Sequence, residues 1–133
     1  MDERIESTIE EVEEYFERLS EVRESSEGVA RRESEENLVR KLVSATIYIA
    51  SRIIALEGGS RPGSYAEYFE ELNSRGVIGE DLSDDLVEMA RFRNLIVHRY
   101  GEIDEEEMED IIENDLQDIR EFVKQVTNYY EED

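Results

Sequence analysis

The sequence predicts an all-α fold: an antiparallel bundle of four longer helices and one short helix. Three observations support this. Apolar residues recur at three- and four-residue steps almost from end to end. No segment alternates apolar and polar residues as a half-buried strand does, and glycine-containing breaks separate the periodic runs. At 133 residues the chain has the size of a single domain, expected to span 1–133. A chain of that length buries roughly two-thirds of the surface its unfolded form exposes, enough for a self-sufficient core.

The first helix carries Ile5, Ile9, Val12, Tyr15/Phe16, Leu19 and Val22 along one face, and "SSEG" around Gly28 breaks it. The second is expected from near Arg31 to Leu56. Its middle, "LVSATIYIASRIIAL", is apolar on nearly all sides, which predicts a central helix covered by its neighbours. "EGG" stops it, and "SRPGS" turns the chain around its sole proline, Pro62. Ser64 is a candidate N-cap for the short helix, with Glu67 completing a capping box and Gly76 ending it. Ser83 is expected to cap a fourth helix from about Asp84 to His98. The last helix is expected from about Asp104 to Tyr130, with Met108, Ile111/Ile112, Leu116, Ile119, Phe122, Val123 and Val126 facing inward.

Composition removes several classes of function. There is no cysteine, hence no disulfide framework, thiol nucleophile or cysteine-based zinc site. The first helix is charged throughout, unlike a secretory signal, and no apolar run approaches the ~18 residues that span a bilayer. A cytoplasmic protein with no membrane partner is therefore expected. Acidic residues number 37 against 15 basic ones, a net charge of −22, and only Lys41 and Lys124 are lysines. Such a surface repels polyanions at low salt and suits a high-salt solvent, where it is screened. The run "DEEEMEDIIEND" is read as a solvated face with carboxylates near a helix N-terminus, not as a metal site, because similar spacing recurs in the first helix. Neither a metal nor another cofactor is expected.

The stretch "MARFRNLIVHRYGEI" holds the only histidine. Leu86, Met89/Ala90, Arg93, Ile96/Val97 and Tyr100 form one helical stripe, so Arg93 interrupts an apolar seam. A guanidinium there requires an anion, a wet cleft or a partner's surface. Asn94 and His98 share a side, whereas Arg93 and His98 are rotated by about 140° and do not converge within one ideal helix. From residue types alone, two readings stay open. His98 is favoured by the dipole at a helix C-terminus, with Arg93 paired to one of many carboxylates. Alternatively, His98 passes protons and Arg93 stabilises charge on a pentacovalent phosphorane, a pairing able to cleave RNA without a metal.

"RNLIVHRY", Arg93 to Tyr100, resembles the R-x-x-x-x-H-x-Y signature of HEPN-domain ribonuclease toxins of the HepT type. "RPGSYAEYFEELNSRGVI", Arg61 to Ile78, is similar to that family's proline-then-short-helix segment. "ATIYIASRIIALEG" resembles its apolar second helix and "YGEID" its exit from the motif helix. The likeness spans about residues 31 to 105. It implies a homodimer whose motif helices face each other, giving a composite, metal-independent endoribonuclease site. Arg93 and His98 would be catalytic, Asn94 supporting, and Arg91 and Arg99 candidates for RNA contact. It further implies a partner, an MNT-type nucleotidyltransferase antitoxin, that silences the toxin by adding AMP to Tyr100. The alternative within the same resemblance is a non-catalytic module that binds a nucleotide or a partner. Arg52, Arg61 and Arg75 are further cations that would enlarge a basic patch if they face the motif.

Overall fold

A computed structural model of the chain describes residues 1–98 and 103–131, with backbone only over 92–98. The described residues form helices and no strand: α1 (Glu3–Ser25), α2 (Gly28–Leu56), α3 (Tyr65–Ser74), α4 (Glu80–His98), α5 (Glu105–Asp110), a π-helical segment (Ile111–Asp115) and α6 (Leu116–Glu131). Helix α2 is the axis of the bundle, touching α1, α3, α4, α5 and α6. Its sequence dictates that place. Leu38, Val39, Leu42, Val43, Ile47, Ile49, Ile53 and Ile54 bury a broad face and leave Lys41, Ser44 and Tyr48 on one exposed stripe, so several partners are needed around the helix.

Local chemistry sets the helix ends. The Asp2 carboxylate accepts the N–H groups of Arg4 and Ile5 at 3.0 and 3.2 Å and so caps α1. It also pairs with Arg52 of α2 at 3.2 Å, which holds its carboxyl below the usual carboxylate range. Helices α2 and α3 stop in the same way. Gly58 and Gly76 take positive φ (77° and 78°). The N–H groups of Gly59 and Val77 then reach back to the carbonyls of Ile54 and Leu72, the six-to-one bond of a Schellman motif. Ser64 caps α3 as expected, accepting the Glu67 N–H at 3.3 Å. The Glu67 carboxylate reaches one residue further back than a capping box does, accepting the Gly63 N–H at 2.7 Å.

Two helix starts and one helix interior differ from the sequence expectation. Helix α2 begins at Gly28, not near Arg31, with Gly28 itself at φ 63°. Helix α4 begins at Glu80, and Ser83 is inside it rather than at its cap. The Ser83 hydroxyl is buried and donates to the Phe69 carbonyl at 3.2 Å, joining α4 to α3. The last helix is not uniformly α. Its buried positions step by three or four except between Ile111 and Leu116, where the step is five; the π-helical turn absorbs that extra residue.

The core is continuous through all the helices, from Ile5 and Val12 of α1 to Phe122 and Val126 of α6. At its centre Phe69 of α3 meets Phe122 of α6 edge to face, with centroids 5.9 Å apart. Polar ties close the periphery. Arg23 of α1 donates to Glu35 of α2 at 2.6 Å and to Glu109 of α5, and the Tyr129 hydroxyl of α6 donates to Glu57, just past α2, at 2.8 Å. Glu105, Glu106 and Glu107 at the start of α5 are exposed, the solvated face read from the sequence. No helix among the described residues is long and apolar enough to cross a membrane.

Candidate functional site

The chemistry-bearing motif falls on the last turns of α4. The helical backbone runs unbroken through positions 93, 94 and 98. The side chains of Arg93, Asn94 and His98, and the whole of Arg99 and Tyr100, lie outside the described residues. The register of α4 nevertheless fixes which face each helical position continues. Leu86, Met89 and Ala90 are all buried against the core. Position 93 follows them at +7, +4 and +3, in line with the buried stripe. Position 94 follows the buried Val87 at +7 and Ala90 at +4, between the buried stripe and Arg91, whereas position 98 follows Arg91 at +7, on the side that Arg91 opens to solvent.

That side borders a groove of about 790 Å³ between α4 and the start of α3. Ala90 and Arg91 form its α4 wall; Arg61, Ser64, Tyr65 and Glu70 are among the residues opposite. Of the cations considered from the sequence, the structure brings Arg61 and Arg91 together here. Neither carries an ion pair among the described residues. Arg52 and Arg75 do not join them: Arg52 is held by Asp2, and Arg75 by Glu71 at 2.9 Å, one helical turn back. Each of the two is paired with a carboxylate, so neither extends the patch.

A different face of α4 carries an acidic cluster that sequence reading missed. Asp85 and Glu88 of α4, Asp115 of the π-helical turn and Asp118 of α6 line a small cleft of about 230 Å³. Burial, then repulsion from Asp85 and Asp115, pushes the Asp118 carboxyl up to about 6. Burial likewise raises Asp115, reinforced by Asp110, Glu88 and Asp85. The signal was present as the five-residue step at Ile111–Leu116, because the π turn swings Asp115 towards α4.

The sign of this coupling follows from the raised value. Below the unfolded pKa near 4 both states are protonated and nothing is lost. As pH rises through about 6 the native cluster must ionise against its neighbours, and stability falls. Asp118→Asn is therefore expected to stabilise the protein above about pH 6, by on the order of 1 kcal/mol after allowance for solvent screening. The gain should vanish near pH 4 and shrink in molar salt. Thermal melts of both proteins across pH and salt measure it; an equal difference at pH 4 and pH 8 would show that the charge is not the cause.

The fold is shared with solved structures of low sequence identity. A HEPN toxin from Shewanella oneidensis, tri-AMPylated and in complex with an MNT antitoxin, superposes with a TM-score of 0.85 at 23% identity, over 96% of this chain and 99% of that one. A toxin–antitoxin structure with AMP-PNP matches with a TM-score of 0.85 at 21% identity and the same coverage. YutE of Bacillus subtilis, a cytosolic protein of unknown function, matches with a TM-score of 0.80 at 21% identity, over 96% and 88% of the two chains. No curated protein sequence matches the chain. The family model described as "Ribonuclease HepT-like" matches residues 5–126, nearly the whole sequence. The chain belongs to the HepT-like ribonuclease family.

Proposed function

We propose that the protein is the toxin of a type VII HEPN/MNT toxin–antitoxin pair and cleaves RNA without a metal. The observation that carries this reading is the placement of R-x-x-x-x-H-x-Y in a chain of this family. The motif begins on the last turns of α4, with position 93 in line with a buried stripe, position 94 beside it and position 98 on the groove side. A cation in a core register needs an anion, a wet cleft or a second surface. A homodimer that apposes two α4 ends supplies that surface, and lets Arg93 and His98 from the two copies converge although they diverge within one.

In this mechanism His98 removes the proton from the ribose 2′-hydroxyl as it attacks the adjacent phosphate, and a histidine of the dimer returns a proton to the departing 5′-oxygen. Arg93 pairs with the non-bridging phosphate oxygens as charge builds on the phosphorane. Asn94 orients the histidine or the phosphate, and Arg91 and Arg99 hold neighbouring phosphates. The cut leaves a 2′,3′-cyclic phosphate and a 5′-hydroxyl, so no water enters the first step. The likeness to a tri-AMPylated toxin supports the matching off-switch, in which an MNT nucleotidyltransferase transfers AMP to the Tyr100 hydroxyl with release of pyrophosphate.

The test is cleavage of RNA by the purified dimer in EDTA, with analysis of the ends. Cyclic-phosphate termini are expected at undiminished rate; full loss in EDTA, restored by a divalent ion, would sink the metal-independent scheme. With the nucleotidyltransferase and ATP added, the wild type is expected to gain AMP mass and lose cleavage. Tyr100→Phe is expected to stay unmodified at that position and active.

A further inference from the structure

We infer that the groove between α3 and α4 is a track for single-stranded RNA beside the cleaved phosphate, with Arg61 and Arg91 on its phosphates and Tyr65 stacking a base. This rests on the ribonuclease reading and adds where, and in what form, the substrate lies.

The first support is electrostatic. In a chain of net charge −22, carboxylates hold Arg18, Arg23, Arg31, Arg32, Arg52 and Arg75 in ion pairs. Arg61 and Arg91 are exposed, line one groove and have no such pair among the described residues. The groove also holds two carboxylates. Glu67 is committed to the Gly63 N–H at 2.7 Å, and Glu70 is exposed. Arg4 and Lys41 are likewise exposed without an ion pair among the described residues, in a second groove over α1 and α2. Arg61 and Arg91 are the pair beside the motif helix, where they give a polyanion a landing point.

The second support is an aromatic platform. Tyr65 opens α3 at the groove wall and is 40% exposed. Its ring stacks on the buried Tyr68, with centroids 6.2 Å apart and planes 24° from parallel. A ring backed by a buried one is a rigid surface that a splayed base can extend, and stacking of this kind tolerates any base. A paired base offers no free face, so the arrangement selects unpaired RNA. Position is the third support. Arg91 is seven residues before His98, about 10 Å along the helix and on the same side. A strand held by Arg91 and Tyr65 therefore passes the motif within a few nucleotides.

Binding separates this inference from catalysis. In the full-length His98→Ala protein, the affinity for a fluorescently labelled oligoribonucleotide is read by anisotropy, single-stranded and as its duplex. Single-stranded RNA is expected to bind more tightly. Arg61→Ala with Arg91→Ala should weaken it about tenfold or more and flatten the salt dependence by a slope of roughly 1.4, two phosphates' worth. Tyr65→Ala should weaken it about tenfold with the salt slope intact, and Tyr65→Phe should restore binding. Arg61, Tyr65 and Arg91 are on the surface, and circular dichroism reports whether each variant stays folded. In the active protein the same substitutions should raise KM more than they lower kcat.

Undiminished RNA binding in both the arginine and tyrosine variants overturns the track while leaving ribonuclease activity standing. So does loss of nucleotidyltransferase binding with RNA affinity intact, which would make the groove a protein dock. Groove-dependent RNA binding by a wild type that never cleaves would instead support the track and sink the catalytic reading.

Discussion

Arg93→Ala and His98→Ala are each expected to lower the rate of RNA cleavage by about 10²–10⁴-fold with the fold and dimer intact. The size follows from what each group supplies. A positioned general acid or base contributes about 10²–10⁴, and removing one charge-stabilising donor from a water-poor site costs about 10²–10³. Arg93→Lys sharpens the test. Lysine keeps the charge but loses the planar fork, so partial activity would assign the remainder of the effect to two-point contact with phosphate. Position 93 continues the stripe of Leu86, Met89 and Ala90, so the melting temperature and dimer content must be matched before rates are compared. Activity equal to wild type in His98→Ala would end the acid–base proposal. A binding module would take its place if RNA affinity persisted without turnover in every form of the protein.

The helices were legible in the sequence because their apolar periods are strong; their joints were less so, because the joints are tertiary. Helix α4 illustrates this. Ser83 has the chemistry of an N-cap, yet the helix starts three residues earlier, at Glu80. The preceding Gly79 N–H is satisfied at 2.8 Å by Gln125 of α6, forty-six positions away, and the Ser83 hydroxyl is taken by Phe69. No local pattern carries either bond. The same holds for cations. The pairing of Arg75 with Glu71 is a four-residue helical spacing that sequence displays. That of Arg52 with Asp2 needs α1 laid against α2. The motif was readable as a spacing, and the structure adds its register on α4 and the groove beside it. Tyr65 went unnoticed because a tyrosine opening an amphipathic helix looks the same in sequence whether it faces the core, the solvent or a groove.

Phe122→Ala is expected to destabilise the protein by about 3–5 kcal/mol, the cost of emptying a large aromatic site that cannot fully collapse. Phe122 is fully buried and its ring edge meets Phe69, itself inaccessible to solvent; the aromatic contact adds about 0.5–1.5 kcal/mol to the loss of apolar burial. Collapse is resisted on both sides. Phe69 sits in α3, whose Phe69 carbonyl is tied to the buried Ser83 of α4. Ile119 and Val126 anchor α6 a turn either side of the gap. Against a total stability of about 5–15 kcal/mol, the loss is a large fraction of what holds the domain together, visible as a fall in both the melting temperature and the urea midpoint. Phe69→Ala should cost a similar amount. The double variant should cost less than the sum, because the second truncation removes no edge-to-face contact that the first has left. Strict additivity would show that the two rings contribute only their separate burial. The pair also links stability to the site. Phe69 and Tyr65 are one helical turn apart on α3, so a cavity at Phe69 should loosen the groove wall. Weakening of single-stranded RNA binding by Phe69→Ala well below its melting temperature would be the sign of that coupling.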